Sequence, residues 1–269
     1  MAKPKTFAPG KRIDLDTIDT ADTGRVRDKE SAENQEARRL GRLFDLQARL
    51  SAESKQALLI VLQGLDASGK DGTIRHVFAG VNPQACEVHS FKVPTHLEMA
   101  HDYLWRVHAA CPPRGVIGIF NRSHYEDVLA VRVEKLLPEN EWRKRYDHIN
   151  QFERMLVDSG TRILKFYLHV GKKEQRARIS ERLKDPDRNW KFSESDLDTR
   201  LKWKEYRAAY NDALTLCNTK WAPWHVVPAD HKWFRNLVIA ETVVSELEDM
   251  DPRYPKPKLE LDKYRALLK

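Results

Sequence analysis

The sequence predicts an α/β fold: three layers around a central, mainly parallel sheet, with a helical flap over one end. Three observations carry this. Short apolar runs recur along the chain with helical patterns between them. The first run stops at a glycine-rich turn that opens a helix, and a cation-dense segment follows the fourth run. Strand-length segments alternating with helix-length ones imply βαβ units and a parallel sheet.

Taken in order, residues 1–30 are polar, alternate in charge and lack an apolar period, so they predict an extended arm packed on the core or on another subunit. From Ser31 to Leu50, Leu40, Leu43, Leu46 and Leu50 recur at three- and four-residue steps, with Phe44 beside them, which predicts an amphipathic helix. Ala57–Leu62 is a continuous apolar run of the kind that forms a buried parallel strand. Further strands are predicted at Glu87–Phe91, Val116–Phe120, Ile163–Val170 and His225–Val227. Helical patterns fall at Thr73–Phe78, Leu97–His108, Tyr125–Leu136, Glu139–Val157, Lys172–Leu183 and Leu197–Leu216. A closing helix is expected over Asp230–Glu248, and the tail from Asp251, with Pro252, Pro255 and Pro257, reads as extended. Residues 31–250 are expected to form one domain, with a lid at about 172–200.

Composition narrows the classes. The chain of 269 residues is 41% apolar and 32% charged, ordinary for a globular protein. No apolar run approaches the roughly 20 residues of a membrane span, and the start lacks the apolar stretch of a secretory signal, so a cytoplasmic protein without a membrane partner is expected. Cys86, Cys111 and Cys217 are far apart and form no C-x-x-C pair, which argues against disulfides and structural zinc. His96, His101 and His108 are spaced five and seven apart, unlike the i, i+4 pair of a helical zinc site. Lys plus Arg exceed Asp plus Glu by 47 − 40 = 7, which favours a polyanionic partner without choosing it.

The chemistry concentrates in Gly64-Leu65-Asp66-Ala67-Ser68-Gly69-Lys70-Asp71-Gly72, a G-x-x-x-x-G-K run between predicted strand and predicted helix. Its glycines permit a tight turn that aims backbone N–H groups at a phosphate, and the helix start adds its positive dipole end. Ala67, Ser68, Gly69, Lys70, Asp71 and Gly72 are therefore candidate phosphate binders. Asp71 stands where Ser or Thr would ordinarily meet a metal; Asp66 is the stronger candidate metal ligand, with Thr73 a second choice. The strand at Val116–Phe120 ends in Asn121-Arg122-Ser123-His124-Tyr125-Glu126-Asp127. Ligands in such sheets sit at the carboxyl ends of strands, so this turn should face the loop. Arg122 suits bidentate phosphate binding. Glu126 and Asp127 point about 100° apart on a helix, so one faces the site, unless both merely cap a helix start. Lys172–Lys191 carries eight cations, among them Arg178, Arg182, Arg188 and Lys191, against four acids. It reads as a flap laying cations over a phosphate substrate, or else as a solvated charged face.

Gly64–Gln84, Ser90–Thr95, Gly118–Leu129, Arg188–Arg200 and Ala222–Asp230 together resemble the family-2 polyphosphate kinases, in family order and over most of residues 30–250. The resemblance implies a thymidylate-kinase-like P-loop kinase fold with a mobile helical lid. It also implies Mg²⁺-dependent transfer of a terminal phosphate between inorganic polyphosphate and a nucleotide, with Mn²⁺ as a substitute metal. By position, Asp66, Lys70, Arg122 and Asp127 would be the catalytic set, and Arg178, Arg182 and Lys191 the lid cations on polyphosphate. Asn121, Glu126, Asp127 and Arg132 would meet the nucleotide. Many members carry Asp where this chain has Asn121; the Asn-Arg-Ser-His-Tyr-Glu-Asp version resembles the subgroup that accepts both AMP and ADP. An ATP-dependent nucleoside monophosphate kinase is the nearest alternative. No nucleic-acid-reading module is recognisable, so no nucleic-acid partner is expected. The terminal segments suit a homo-oligomer.

Overall fold

The computed structural model describes residues 2–187, 189–257, 259 and 261–268. Its strands are β1 (Ala57–Gln63), β2 (Cys86–Ser90), β3 (Ile117–Asn121), β4 (Thr161–His169) and β5 (Trp224–Pro228), all parallel, in the order β2-β3-β1-β4-β5. Every residue of β1 is buried, as expected of a central strand covered on both faces.

The first helix, α1 (Lys29–Glu53), is started by Asp28, whose side chain accepts from the Ser31 N–H at 2.7 Å. Its stripe of Leu43, Leu46 and Leu50 joins α2 (Lys70–Val77) and the long α11 (Lys232–Met250) in the core on one sheet face. Between α2 and β3 lie two short helices, α3 (His96–Met99) and α4 (Trp105–Ala109). The other face is covered by α5 (Glu126–Val133), α6 (Glu139–Trp142), α7 (Arg145–Asp158) and α10 (Trp203–Leu216). The predicted three-layer arrangement is therefore present. The cation-dense segment starts with α8 (Lys172–Lys184), α9 (Glu194–Leu201) follows it, and α12 (Leu261–Leu267) lies near the end of the chain.

Three predicted helices are broken. In place of Leu97–His108, α3 is opened by a Thr95–Glu98 capping box and stops at Ala100, and α4 begins after Asp102, whose carboxylate accepts from the Leu104 N–H at 2.9 Å. That local bond competes with helix continuation. Glu139–Val157 divides between Trp142 and Arg145, where Trp142 turns into the core, and Leu197–Leu216 divides at Lys202. The tail, expected to be extended, contains α12.

The arm is joined to the core. Ile13 and Leu15 are fully buried, although no apolar period announces them. The Ile13 and Leu15 N–H groups donate to Thr215 Oγ1 at 3.0 Å and Asn211 Oδ1 at 3.1 Å on α10. Lys5 forms an antiparallel bridge with Val226 on the outer edge of β5.

Candidate active site

The carboxyl end of β1 runs straight into the glycine-rich loop. Gly64 has φ +153° and Gly69 +106°, and a Cβ at Gly69 would stand 1.9 Å from a guanidinium nitrogen of Arg235. Only glycine fits there. Two non-glycine residues at the site also take positive φ: Ala67 at 61° and Arg122 at 62°. Such strain, of order 1–3 kcal/mol, persists where surroundings over-determine it and marks functional sites.

The Lys70 ammonium is buried and donates to the Gly64 carbonyl at 2.6 Å. Burial lowers its pKa and the Arg122 charge adds to this, while Asp66, Glu126 and Asp71 oppose both. Asp66 accepts from Arg122 Nη2 at 2.6 Å through one oxygen and from Thr199 Oγ1 at 3.0 Å through the other. The Asp66 carbonyl accepts from the Gln175 amide at 3.1 Å. Burial disfavours charge on Arg122, but the Glu126 and Asp66 carboxylates outweigh it and hold the guanidinium firmly charged. Glu126 is pushed upward by burial, against the pull of Arg122 and Lys70. The Asn121 amide donates to Asp71 Oδ1 at 2.7 Å, tying the end of β3 to the first turn of α2. Asp66, Lys70, Asp71, Asn121, Arg122 and Glu126 thus form one cluster at the carboxyl ends of β1 and β3.

Other expected residues stand elsewhere. Of the adjacent acids, Glu126 faces the loop, whereas Asp127 accepts from Arg145 Nη1 at 3.0 Å and lies 3.9 Å from Arg106. The 100° step of the helix separates them. Arg132 pairs with Asp212 at 2.6 Å and its guanidinium lies 4.9 Å over the Trp142 ring. Arg178 is buried with all five N–H donors committed: Nε to Glu174, Nη1 to the Ala67 and Ser68 carbonyls, Nη2 to the Ala229 and Asp230 carbonyls. It braces the phosphate loop from behind and offers no N–H to a substrate, contrary to the expected lid role. Arg182 reaches across to Asp196 on α9 at 3.0 Å. Lys191 is exposed and lies 5.0 Å from the Trp190 ring centroid. Arg188 lies outside the described residues.

Sequence reasoning did not single out Thr199, Gln175 or Arg235 for the site. Arg235 is buried, donates to the Ser68 carbonyl at 3.4 Å, and is lowered to about 10 by burial and by the Arg178 charge. Its signal was an arginine between Trp233-Phe234 and the apolar run Leu237–Ala240 of the closing helix. Ser68 Oγ and Thr73 Oγ1 are buried and without a hydrogen-bond partner in the protein. Buried hydroxyls in that condition fit a site that receives phosphate oxygens or a hydrated cation. Among the described residues no group of three or more His, Cys, Asp or Glu is placed to hold a metal unaided. Mg²⁺ does not require one, since one or two carboxylates with substrate phosphates and water suffice.

The comparisons agree with this geometry. Residues 26–255 match the family model for polyphosphate kinase 2. An AMP/ADP-polyphosphate phosphotransferase of Meiothermus ruber is 48% identical over 95% of this chain and 96% of its own. An ADP-polyphosphate phosphotransferase of Rhodopseudomonas palustris is 41% identical over 94% and 93%. The crystal structure of polyphosphate kinase 2 from Arthrobacter aurescens superposes with a TM-score of 0.93 at 35% identity, covering 100% of this chain and 99% of that one. A phosphate loop under a parallel sheet, faced by Arg122 and Glu126 and matched over nearly its whole length, places this chain in the polyphosphate kinase 2 family.

Proposed function

We propose that this enzyme transfers the terminal phosphate of inorganic polyphosphate to AMP and to ADP, giving ADP and ATP, reversibly and with Mg²⁺, which Mn²⁺ can replace. The observation that carries the reading is the Asp66–Lys70–Arg122–Glu126 cluster at the mouth of the phosphate loop. Two cations and two carboxylates there suit a reaction in which positioning and neutralisation of equatorial oxygens do most of the work. The attacking oxygen belongs to a nucleotide phosphate already ionised near neutral pH, so no strong general base is needed.

Asp66 and Glu126 would hold the metal, each Asp66 oxygen keeping a free lone pair beside its present donor. Bound there, the cation neutralises phosphate oxygens. Lys70 and Arg122 bind phosphate, with Ala67, Gly69, Asp71 and Gly72 supplying backbone N–H groups around it and Ser68 its hydroxyl, the Ser68 N–H being donated to the Leu65 carbonyl. Asn121 sets the entrance through Asp71. Arg182, Lys191 and Arg132 border the polyphosphate and nucleotide approaches, and residues 172–200 move as a lid that excludes water. Thr199 gives that lid a direct hold on the Asp66 carboxylate, and Gln175 holds the Asp66 main-chain carbonyl beside it. One kinase domain over residues 31–250, self-association, a cytoplasmic place of action and the absence of a nucleic-acid partner belong to the same proposal. No helix among the described residues is long and apolar enough to cross a membrane.

The test is product analysis with Mg²⁺, polyphosphate and either AMP or ADP, with no ATP added. ADP from AMP and ATP from ADP are expected. Transfer only when ATP is supplied as donor would overturn the reading in favour of a nucleoside monophosphate kinase.

A further inference from the structure

The chain treats the two edges of its sheet differently. On β5, the arm covers the edge: Lys5 N–H donates to the Val226 carbonyl at 2.8 Å, and Val226 N–H returns the bond at 2.9 Å. Among the described residues nothing pairs with the outer edge of β2 in this way. The register pairs His89 with Phe120, and Phe91 N–H donates to the Asn121 carbonyl at 3.1 Å, so Glu87, His89 and Phe91 turn their backbone groups toward β3. Backbone groups alternate along a strand, so those of Cys86, Val88 and Ser90 point outward. Among the described residues none of these three outward groups meets a backbone partner. Val88 is 49% exposed, and just beyond the strand Val93 is 88% and Leu97 64% exposed. Edges of this kind are usually blunted by Pro, Lys or a bulge, and Cys86–Ser90 contains none of these.

We propose that β2 is the self-association edge of this protein: a second copy adds its β2 antiparallel about a two-fold axis at Val88, joining two five-stranded sheets into one. The geometry closes on itself. Val88 would face Val88 of the second copy as a hydrogen-bonded pair, and Cys86 would face Ser90 in both directions, so every outward group of the strand is satisfied. On one side of the ribbon, Glu87 would stand opposite the second copy's His89, twice by symmetry. Within one chain Glu87 and His89 already share that side, 3.7 Å apart. An imidazole N–H directly across an antiparallel pair from a carboxylate can donate to it, so the edge is complementary to itself. Parallel addition would leave a free edge and propagate, whereas the two-fold arrangement stops at a dimer.

Sedimentation velocity of the full chain across the micromolar range tests this. A dimer is expected, dissociated by Val88→Pro. Because the Val88 N–H points away from β3, proline there removes a bond to the second copy and none within the fold. Far-UV circular dichroism should therefore be unchanged. Glu87→Lys alone and His89→Glu alone should each weaken the dimer roughly tenfold, each being felt at two symmetric pairs. The double variant Glu87→Lys/His89→Glu should restore it. A monomeric wild type would overturn the proposal. So would a dimer indifferent to Val88→Pro and to the charge swap, or one lost only when residues 251–269 are removed.

Discussion

Arg178 and Arg182 sit one helical turn apart on α8, and their surroundings make them different residues. Arg178 satisfies four main-chain carbonyls on two segments, 67–68 and 229–230, that must stay in place for the phosphate loop to keep its shape. Arg182 makes one partly exposed pair with Asp196. Arg178→Ala is accordingly expected to cost about 3 kcal/mol or more of stability, since it strands buried acceptors, and to depress turnover because the loop loosens. Arg182→Ala should cost about 1 kcal/mol or less. Urea unfolding of both variants checks this, and equal losses would contradict the assignment of Arg178 as a brace. The motif made Gly64, Gly69 and Lys70 legible because it encodes backbone geometry directly. It was silent on Arg178, since which face of α8 meets the loop is decided by how the helix packs. The same limit applies to Glu126 and Asp127, where adjacency in sequence hides a separation into two charge clusters.

At the level of elements, β4, α5, α7 and the end of α10 meet at one polar knot. Lys165 is fully buried in β4 and gives its three protons to Tyr125 Oη at 2.8 Å, Glu153 Oε2 at 2.7 Å and the Cys217 carbonyl at 2.7 Å. Tyr125 in turn donates to Glu153 Oε1 at 2.8 Å. Burial would raise the Glu153 pKa, but Lys165 and His124 outweigh it and hold the carboxyl below its ordinary value. Because Tyr125 and His124 lead directly into Glu126, this knot fixes the start of α5 under the site. Lys165→Met alone should cost about 3–5 kcal/mol, since it leaves a buried carboxylate unpaired. Lys165→Met/Glu153→Leu should cost less than the two single changes summed, measured as a double-mutant cycle by denaturant unfolding. Additive losses would mean the two do not act as a pair. Apolar runs located all five strands to within about two residues. They could not show that a lysine inside one of them was core, because periodicity reports burial and not pairing.

Across the whole molecule, the arm, invisible to periodicity, is held by single long-range bonds. Arg207 links Asp16 at 2.6 Å to His169 Nδ1 at 3.0 Å, and His169 Nε2 lies 3.1 Å from the Ile18 carbonyl. Nothing local in residues 1–30 specifies partners 151 (Ile18 to His169) to 226 − 5 = 221 (Lys5 to Val226) residues away, so the sequence could give the arm's extended character and not its seat. His169 and His225 also set how the fold responds to acid. Burial lowers both, to about 4, reinforced by Arg207 for His169 and by Lys165 for His225. The folded values lie below the ordinary 6.5, so the unfolded chain binds more protons between the two. The stabilisation is complete above about pH 6.5 and is lost as pH falls toward 4, each histidine accounting for roughly 2 kcal/mol at pH 5. The buried carboxyls of Glu36, Glu126 and Asp127, raised by burial, act with the opposite sign, so the histidine share must be isolated by substitution. Both ring nitrogens of His225 are without partners, and the ring lies 5.4 Å from Phe166, so His225→Phe removes the titration with little change in contacts. Urea unfolding of wild type and variant at pH 7.5 and pH 5 should give a smaller acid loss for His225→Phe, by roughly the share of one histidine. Equal losses would show that His225 takes up its proton in the folded protein.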